Sequence, residues 1–424
     1  MRSALNWKKD CLVNNGKGLV KMKKVLFISF DVPFDKVGHA GGKTHNYYLK
    51  KVNADEEFQT FLISFCVPRD LIKIDCDTYG VKSKIFCICP EKRYRYVRGI
   101  INISSRYNPW NKYAGILPQY YIMNILSHLK RMKKEGCELD IIILEWTSIV
   151  LLAPVIKKIY PNAKLIASEH DVSFLGYKRK YKYEKGIYRK WLAGVRYKTM
   201  HKQELKAINV CDYVFPHNHK DAALLLNESV PKEKIHPIVP YYMDFTDVEW
   251  YGESKNVVFF GAMSRPENHL SAMWFIENVM PLLKDTGVVF QVIGGGPLEE
   301  LKKMESDNVK ILGFVDDVSI HFCDALCMVA PLVLGAGIKV KVIEGMSSGM
   351  PVLTNKIGIE GIYAKDGEHY FHCEEPEEYA ECIKMLINNR EKAEKVSAAS
   401  RLFIKNNFDL EKSAEEYIDI LKRI

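Results

Sequence analysis

The feature that most constrains this chain is an alternation of short apolar runs with longer amphipathic segments, and the alternation occurs twice. VLFISF (25–30), FQTFLISFC (58–66), KIFCIC (84–89), DIIILEW (140–146), AKLIASEH (163–170) and DYVFPHN (212–218) form the first series. Each is strand-length, rich in Val, Ile or Phe, and lacks a polar face, the pattern of strands buried on both sides of a parallel sheet. Residues 231–255 then break into PKEKIHPIVPYYMDFTDVEWYGESK, with prolines and few periodic positions, and read as a linker. The alternation restarts with NVVFFGAM (256–263), VVFQVIGGGP (288–297), VKILGFVDD (309–317), ALCMVAPL (325–332) and MPVLTN (350–355). Intervening stretches such as LSAMWFIENVMPLLKD place Trp274, Phe275, Val279 and Leu282 at helical spacing. The reading is α/β: two doubly wound units in series.

A chain of 424 residues, 47% hydrophobic, can bury two such cores. The expected division is a loose or mis-started extension over 1–21, a first domain over 22–240, a linker over 241–255 and a second domain over 256–402. A closing segment, 403–424, contains an amphipathic helix with Tyr417, Ile418, Leu421 and Ile424 on its apolar side, expected to pack on a neighbouring domain. No run of 18 apolar residues predicts a membrane-spanning helix, and the N-terminus lacks the apolar core of a secretory signal. The 11 cysteines include no CxxC pair, which predicts free thiols in a reducing cytosol.

The net charge of +9 hides an asymmetry, a strongly basic first 250 residues and an acidic remainder. Tyr177–Lys206 holds eleven Lys/Arg against two Glu, with aromatics interleaved, and Lys92–Trp110 is similar. Two readings stand: a solvated helix face, or a peripheral contact with anionic lipid at the inner face of the membrane. No recognition module accompanies the charge, so nucleic acid is not an expected partner.

Ligands of doubly wound units bind beyond the carboxyl ends of the strands. There the sequence offers Gly41-Gly42 ahead of a helix, where backbone amides can meet an oxyanion, and His170 at a strand end. It also offers Gly261 with Arg265, and Gly295–Pro297, which reads as a plain turn. The richest stretch is LGAGIKVKVIEGMSSGMPVLTN (334–355), a glycine loop opening a helix with Lys339 and Lys341 near its N-terminus. Two cations added to a helix N-terminus make an anion site, and Glu344, three residues beyond Lys341, is placed to accept from ribose hydroxyls. The alternative is a pair of surface lysines with a Glu344–Lys341 salt bridge. Asp75-Cys76-Asp77 has metal-binding DxD spacing but reads as a surface loop, and His217-Asn218-His219 reads as a strand end; no metal site is expected.

GAGIKVKVIEGMSSGMPVLTNKIGIEGI resembles the C-terminal signature of the retaining group 1 (family 4) glycosyltransferases, and the likeness extends through FFGAMSRPENHLSAMWFIENVMPLL, VIGGGP, VKILGFVDD and the last helix. The first half is similar more loosely, through VLFISF with Gly41-Gly42 and through SEHDVSFL. The resemblance implies a GT-B fold: two Rossmann-like domains, a cleft between them, and a C-terminal helix crossing back to the first. It places Gly41 and Gly42 at the donor diphosphate and His170 at the donor sugar. Gly313, Phe314 and Val315 fall beside the base, Gly337, Ile338 and Lys339 at the diphosphate, and Glu344 at the ribose. Two departures stand out: Ala336 occupies a position where the family often has a second Glu, and only Arg265 represents the usual Arg and Lys after the first strand of the second domain.

The implied chemistry is sugar transfer from a nucleotide-sugar donor with retention and without a metal or other cofactor. His170, Lys339 and Lys341 carry it, and the acceptor is a hydroxyl of a lipid-linked or cell-surface glycan. A sugar-nucleotide epimerase on the same fold and a catalytically silent sugar-nucleotide-binding scaffold in polysaccharide assembly are the alternatives.

Overall fold

The computed structural model describes residues 12–14, 19–35, 37, 39–66, 83–88, 96, 100, 119–334 and 337–424. The chain divides into two units, Met1–Pro240 with Glu411–Ile424, and Tyr241–Leu410. A short antiparallel pair, β1 (Leu12–Asn14) and β2 (Leu19–Lys21), comes first. Part of the expected loose extension is therefore paired as strands. Residues 1–11 and 15–18 of that extension lie outside the described residues.

The main sheet of the first unit contains β3 (Lys23–Ser29), β4 (Phe58–Cys66), β5 (Ser83–Ile88), β6 (Ile141–Glu145), β7 (Lys164–Glu169) and β8 (Tyr213–Pro216). Every pairing is parallel and the order is β5-β4-β3-β6-β7-β8. Val25, Leu26, Phe27 and Ile28 are all fully buried, as are Ile141 to Leu144, because helices cover both faces.

The second unit repeats the topology. Strands β9 (Asn256–Phe260), β10 (Val289–Ile293), β11 (Val309–Gly313), β12 (Cys327–Ala330), β13 (Val352–Thr354) and β14 (Phe371–His372) lie in the order β11-β10-β9-β12-β13-β14, again all parallel. In each sheet the order reverses at one place, between β3 and β6 and between β9 and β12. Loops leave that point in opposite directions and open a crevice at the carboxyl ends.

The segment expected as a linker over 241–255 is fixed to the second unit. Arg401 donates to Thr246 O (3.0 Å), Ser348 O (2.6 Å) and Val248 O, and the Trp250 indole N–H donates to Ala325 O at 2.7 Å. Side chains thus satisfy a backbone that forms no ladder of its own. The closing segment also begins later than expected. Helix Arg390–Asn407 runs through 403, with Ile404 fully buried, and the return to the first unit starts at Glu411.

Helix Leu410–Arg423 packs Tyr417 and Leu421 into a core with Tyr48, Phe27 and Phe215. Its C-terminal carbonyls, which have no intrahelical partner, accept from the Lys23 ammonium: Leu421 O at 3.3 Å, Lys422 O at 2.6 Å and Ile424 O at 2.6 Å. Among the described residues, no helix is long and apolar enough to cross a membrane, and Cys137, Cys211, Cys323, Cys327, Cys373 and Cys382 carry free thiols.

Candidate functional site

In the first unit the site grows from the strand ends around the β3/β6 reversal. Helix Ala40–Ala54 follows β3 and puts Gly41 and Gly42 in its first turn, with the His39 ring accepting the Gly42 N–H at 3.0 Å. A Cβ on Gly41 would lie 3.0 Å from His170 Nδ1 and 3.1 Å from Trp146 Nε1. Glycine is what lets the helix start against those two rings.

His170, directly after β7, stacks on Trp146, directly after β6, with centroids 4.3 Å apart and planes 9° apart. Trp146 holds φ 66°, a left-handed conformation costly for a bulky residue, and the stack is what that strain positions. His170 Nε2 lies 2.9 Å from Glu145 Oε2, and His45 Nδ1 lies 3.3 Å from Glu145 Oε1. Burial pushes the Glu145 carboxyl up, but His45 and His170 together more than offset it and hold the group well below the usual carboxylate range. Glu145 is therefore an acceptor only. A neutral His170 accordingly carries its proton on Nε2 and leaves Nδ1, buried and without a protein hydrogen-bond partner, as an acceptor.

His217, after β8, completes the group, its ring centroid 4.0 Å from that of His170 and its Nε2 3.0 Å from Ser168 Oγ. Burial, then the adjacent His170, keeps its pKa well below normal, so the ring is neutral. Asn218 caps helix His219–Asn227 by accepting the Asp221 N–H at 2.7 Å, as a strand end followed by a helix start requires. The ligand-type atoms of Glu145, His170 and His217 lie within 4.8 Å of one another, yet they are engaged with each other, with His45 and with Ser168.

The first unit holds two further buried acids, Glu169 and Glu204. Glu169 accepts from Thr147 Oγ1 at 2.6 Å, and Glu204 accepts the Ser173 and Phe174 N–H groups, both at 2.8 Å, at the start of helix Ser173–Tyr183. Burial raises both, Glu169 well above the carboxylate range with the Glu204 charge adding to it, and Glu204 to about 8.

In the second unit the loop after β9 is braced from several sides. Gly261 donates to Ile293 O at 3.0 Å, and Asn268 donates to Ala262 O at 2.8 Å. A Cβ on Gly294 would stand 1.7 Å from Gly261 O, so only glycine permits this approach. The expected turn at Gly295–Pro297 has a definite task, since Gly295 O accepts the Met263 N–H at 2.9 Å.

Lys341 reaches into this loop. Its ammonium hydrogen-bonds to Asn268 Oδ1 and sits 4.7 Å over the Phe259 ring. A Cβ on Gly261 would lie 2.9 Å from Lys341 Nζ, which explains the glycine there. Burial is the main cause, partly offset by Glu267 and Glu344, that pulls the lysine down to about 7. Arg265, which caps helix Pro266–Asn278, pairs with Glu267 and stays half exposed.

The helix predicted from the glycine loop is Val340–Ser347, with Lys339 as its N-cap and Gly337 at φ 68° ahead of it. Lys339 Nζ hydrogen-bonds to Gly337 O and lies 4.0 Å from Glu360. Ile338 sits between them, half-buried. Glu344 is buried and accepts the Met243 N–H at 3.0 Å. Gly313 closes β11 with φ 69° and accepts the Gly294 N–H at 2.6 Å; Phe314, 76% exposed, and Val315 follow it.

Each unit thus gathers its own predicted residues, Gly41 with His170 in the first, and Gly261, Lys339, Lys341 and Glu344 in the second. Glu145, Trp146, His45 and His217 in the first unit and Asn268 in the second were not singled out from sequence as site residues. Gly335, Ala336 and Asp75–Asp77 lie outside the described residues.

A family model described as "Glycosyl transferases group 1" matches residues 254–389. A protein from the cps region of Klebsiella pneumoniae, described as an uncharacterised 44.6 kDa protein, is 26% identical over 168 residues, 37% of this chain and 43% of that protein. The match therefore spans less than half of that relative's length. Among solved structures, Anabaena HepE in complex with UDP superposes with a TM-score of 0.65 at 12% identity, over 95% of this chain and 100% of that one. Sucrose-phosphate synthase from Thermosynechococcus elongatus gives 0.64 at 12%, over 95% and 98%. The chain has the GT-B fold, and its residues 254–389 form a group 1 glycosyltransferase domain.

Proposed function

We propose that this chain is a retaining glycosyltransferase that moves a sugar from a nucleotide-sugar donor to a hydroxyl of a lipid-linked or cell-surface glycan. The observation that carries the reading is Lys341, a desolvated lysine beside Gly261 and the start of helix Val340–Ser347, in the domain that matches the family. A buried cation with a lowered pKa is costly unless an anion meets it, and a donor diphosphate supplies that charge. Lys339, Ile338 and Gly337 hold the same diphosphate at the helix N-terminus, and Glu344 accepts from the ribose. Gly313, Phe314 and Val315 flank the base, and Gly261 and Arg265 border the phosphates.

In the first unit Gly41 and Gly42 present backbone to the donor, and His170 acts at the donor sugar with the buried Nδ1 acceptor that Glu145 enforces. As the sugar–phosphate bond breaks, charge grows on the departing diphosphate, and Lys339, Lys341 and the helix amides stabilise it, the part a divalent ion plays in other transferases. The leaving phosphate takes the proton of the acceptor hydroxyl, so no protein nucleophile is required. Solved relatives of the same fold support a uridine donor as the first to test: HepE was solved with UDP-glucose, and TarM of S. aureus with UDP and alpha-GlcNAc-glycerol.

The test is a binding screen of UDP-, GDP-, ADP- and CMP-sugars on the wild type and on Glu344→Ala, followed by donor hydrolysis with and without EDTA. Selective binding of one donor, weakened in the variant, with EDTA-insensitive hydrolysis to the retained anomer is expected. No binding, or binding indifferent to Glu344, would reject the reading in favour of a structural helix; donor binding with neither hydrolysis nor transfer would favour a silent scaffold, and conversion of the free sugar nucleotide without acceptor an epimerase.

A further inference from the structure

A single hydroxyl joins the two loops that carry the stacked rings of the first unit. Trp146 follows β6 and His170 follows β7, so the two rings reach each other from different stretches of chain. The strands are parallel neighbours with Glu145 opposite Ser168, and their ends leave the sheet side by side. Thr147, the residue after Trp146, is buried there. Its hydroxyl donates to Glu169 Oε2 at 2.6 Å and to Asp171 O at 3.2 Å, and it accepts the Ser173 hydroxyl at 3.0 Å. Glu169 and Asp171 are the residues on either side of His170. One side chain thus ties the residue next to Trp146 to both neighbours of the histidine.

Two observations separate this tie from an ordinary buried hydrogen bond. Trp146 keeps φ 66°, a backbone state that persists only where the surroundings over-determine it, and the tie begins at the very next residue. Glu169 is fully buried and its Oε1 has no hydrogen-bond partner among the described residues, so the carboxyl is only half satisfied. Leaving a buried polar oxygen bare is costly, whereas replacing both partners of a buried bond by apolar groups is nearly neutral. A strand end selected for stability alone would do as well with two apolar side chains. What the hydroxyl adds is direction, because its acceptors fix the backbone before and after His170.

We propose that Thr147 is a positioning residue for His170: its hydroxyl, bonded to Glu169 and Asp171 on the two sides of the histidine, holds the imidazole flat on Trp146 and aimed at the donor sugar. The staple stands on geometry alone, while its bearing on turnover rests on the transferase reading.

Thr147→Val is nearly isosteric but strands the Glu169 carboxyl, so the informative variant is Thr147→Val/Glu169→Met, which removes both partners together and should fold with a melting temperature near that of the wild type. Two measurements on the full chain test the proposal. In donor-free protein carrying nitrogen-15-labelled histidine, the His170 ring signals are assigned by their absence from His170→Gln. They should move toward those of an unstacked ring in the double variant and stay in place in Thr147→Ser. With UDP-glucose as the probe, kcat for UDP release should fall about tenfold to a hundredfold in the double variant with KM changed by less than about threefold, the mark of a misplaced group. Thr147→Ser, which keeps the hydroxyl, should recover most of that loss. Thr60→Val, which removes another buried hydroxyl of the same sheet from its bond to Asn53, should turn over as the wild type does. Unmoved His170 signals in the double variant, an equal loss of kcat in Thr60→Val, a loss confined to KM, or no recovery by Thr147→Ser would overturn the inference. A wild type that binds no donor and releases no UDP refutes the transferase reading instead, and the ring signals then decide the staple by themselves.

Discussion

The Trp146 indole lies flat against the His170 imidazole, 4.3 Å between centroids, while Glu145 holds the opposite edge of the imidazole through Nε2. Ring plane and tautomer are thereby both fixed before any substrate arrives. If His170 acts at the donor sugar, His170→Ala should lower kcat for transfer by at least about a hundredfold with donor binding changed only a few-fold. Glu145→Gln should also lower it, by about tenfold or more, and should alter the pH profile, because an amide can donate as well as accept and no longer enforces the Nε2 proton. Steady-state kinetics across pH separates that role from a merely structural one.

Lys341 gives donor binding a pH dependence of known sign. With the lysine at about 7 in the free protein, the cation is present below pH 7 and is lost above it. A bound diphosphate requires the cation, so binding above pH 7 takes up a proton and affinity should fall by up to about tenfold per pH unit. Lys341→Met should bind donor more weakly and lose this slope, as calorimetry at pH 6, 7 and 8 in buffers of different ionisation enthalpy would show.

Glu344 uses one oxygen for the Met243 N–H, so its removal has two consequences that a single assay would confuse. Glu344→Gln keeps an acceptor for Met243 and should leave the thermal midpoint within a few degrees, while reducing donor affinity about tenfold to a hundredfold, the usual range for a hydrogen bond to a charged group. Paired melting and binding measurements check both halves.

Gly294 and Gly176 should respond oppositely to alanine. At Gly294 the added methyl would meet the Gly261 carbonyl at 1.7 Å in a backbone at φ 141°, so Gly294→Ala should fail to give folded protein or lose donor binding outright. Gly176 is exposed in helix Ser173–Tyr183 with no atom within 4 Å of the new Cβ. Gly176→Ala should stabilise by up to about 1 kcal/mol through helix propensity, read from denaturant melts.

The buried pair Glu169 and Glu204 makes stability fall as pH rises from the ordinary carboxylate range to the raised folded values. Both carboxyls are raised in the folded protein, so their contribution is fully present below the unfolded pKa near 4.3 and is lost as pH rises through the folded value, about 8 for Glu204. The thermal midpoint should therefore fall between pH 6 and 9. Glu169→Gln, which removes one of the two charges that must form, should show a smaller fall.

The strands were legible because parallel strands buried on both faces need unbroken apolar runs: FQTFLISFC is β4 residue for residue, and the other runs are off by one to a few positions. Phe371–His372 was missed because two residues carry no periodicity. The lysine-rich loop was readable because its glycines, cations and helix start are consecutive in the chain. The Glu145–His45–His170–His217 group was not, since its members end or follow four different strands and meet only when the sheet forms. Irregular backbone at 241–255 looked like a linker, yet the side chains that hold it, Arg401 above all, lie far along the chain.

The Lys23 ammonium closes on the carbonyls of Leu421, Lys422 and Ile424. A ribosome releases Lys23 roughly four hundred residues before those carbonyls exist, so during synthesis the first sheet waits with one core face lacking Tyr417 and Leu421. The second unit, though it begins later, has all its own strands in hand first. Order of completion is thus the reverse of order of synthesis.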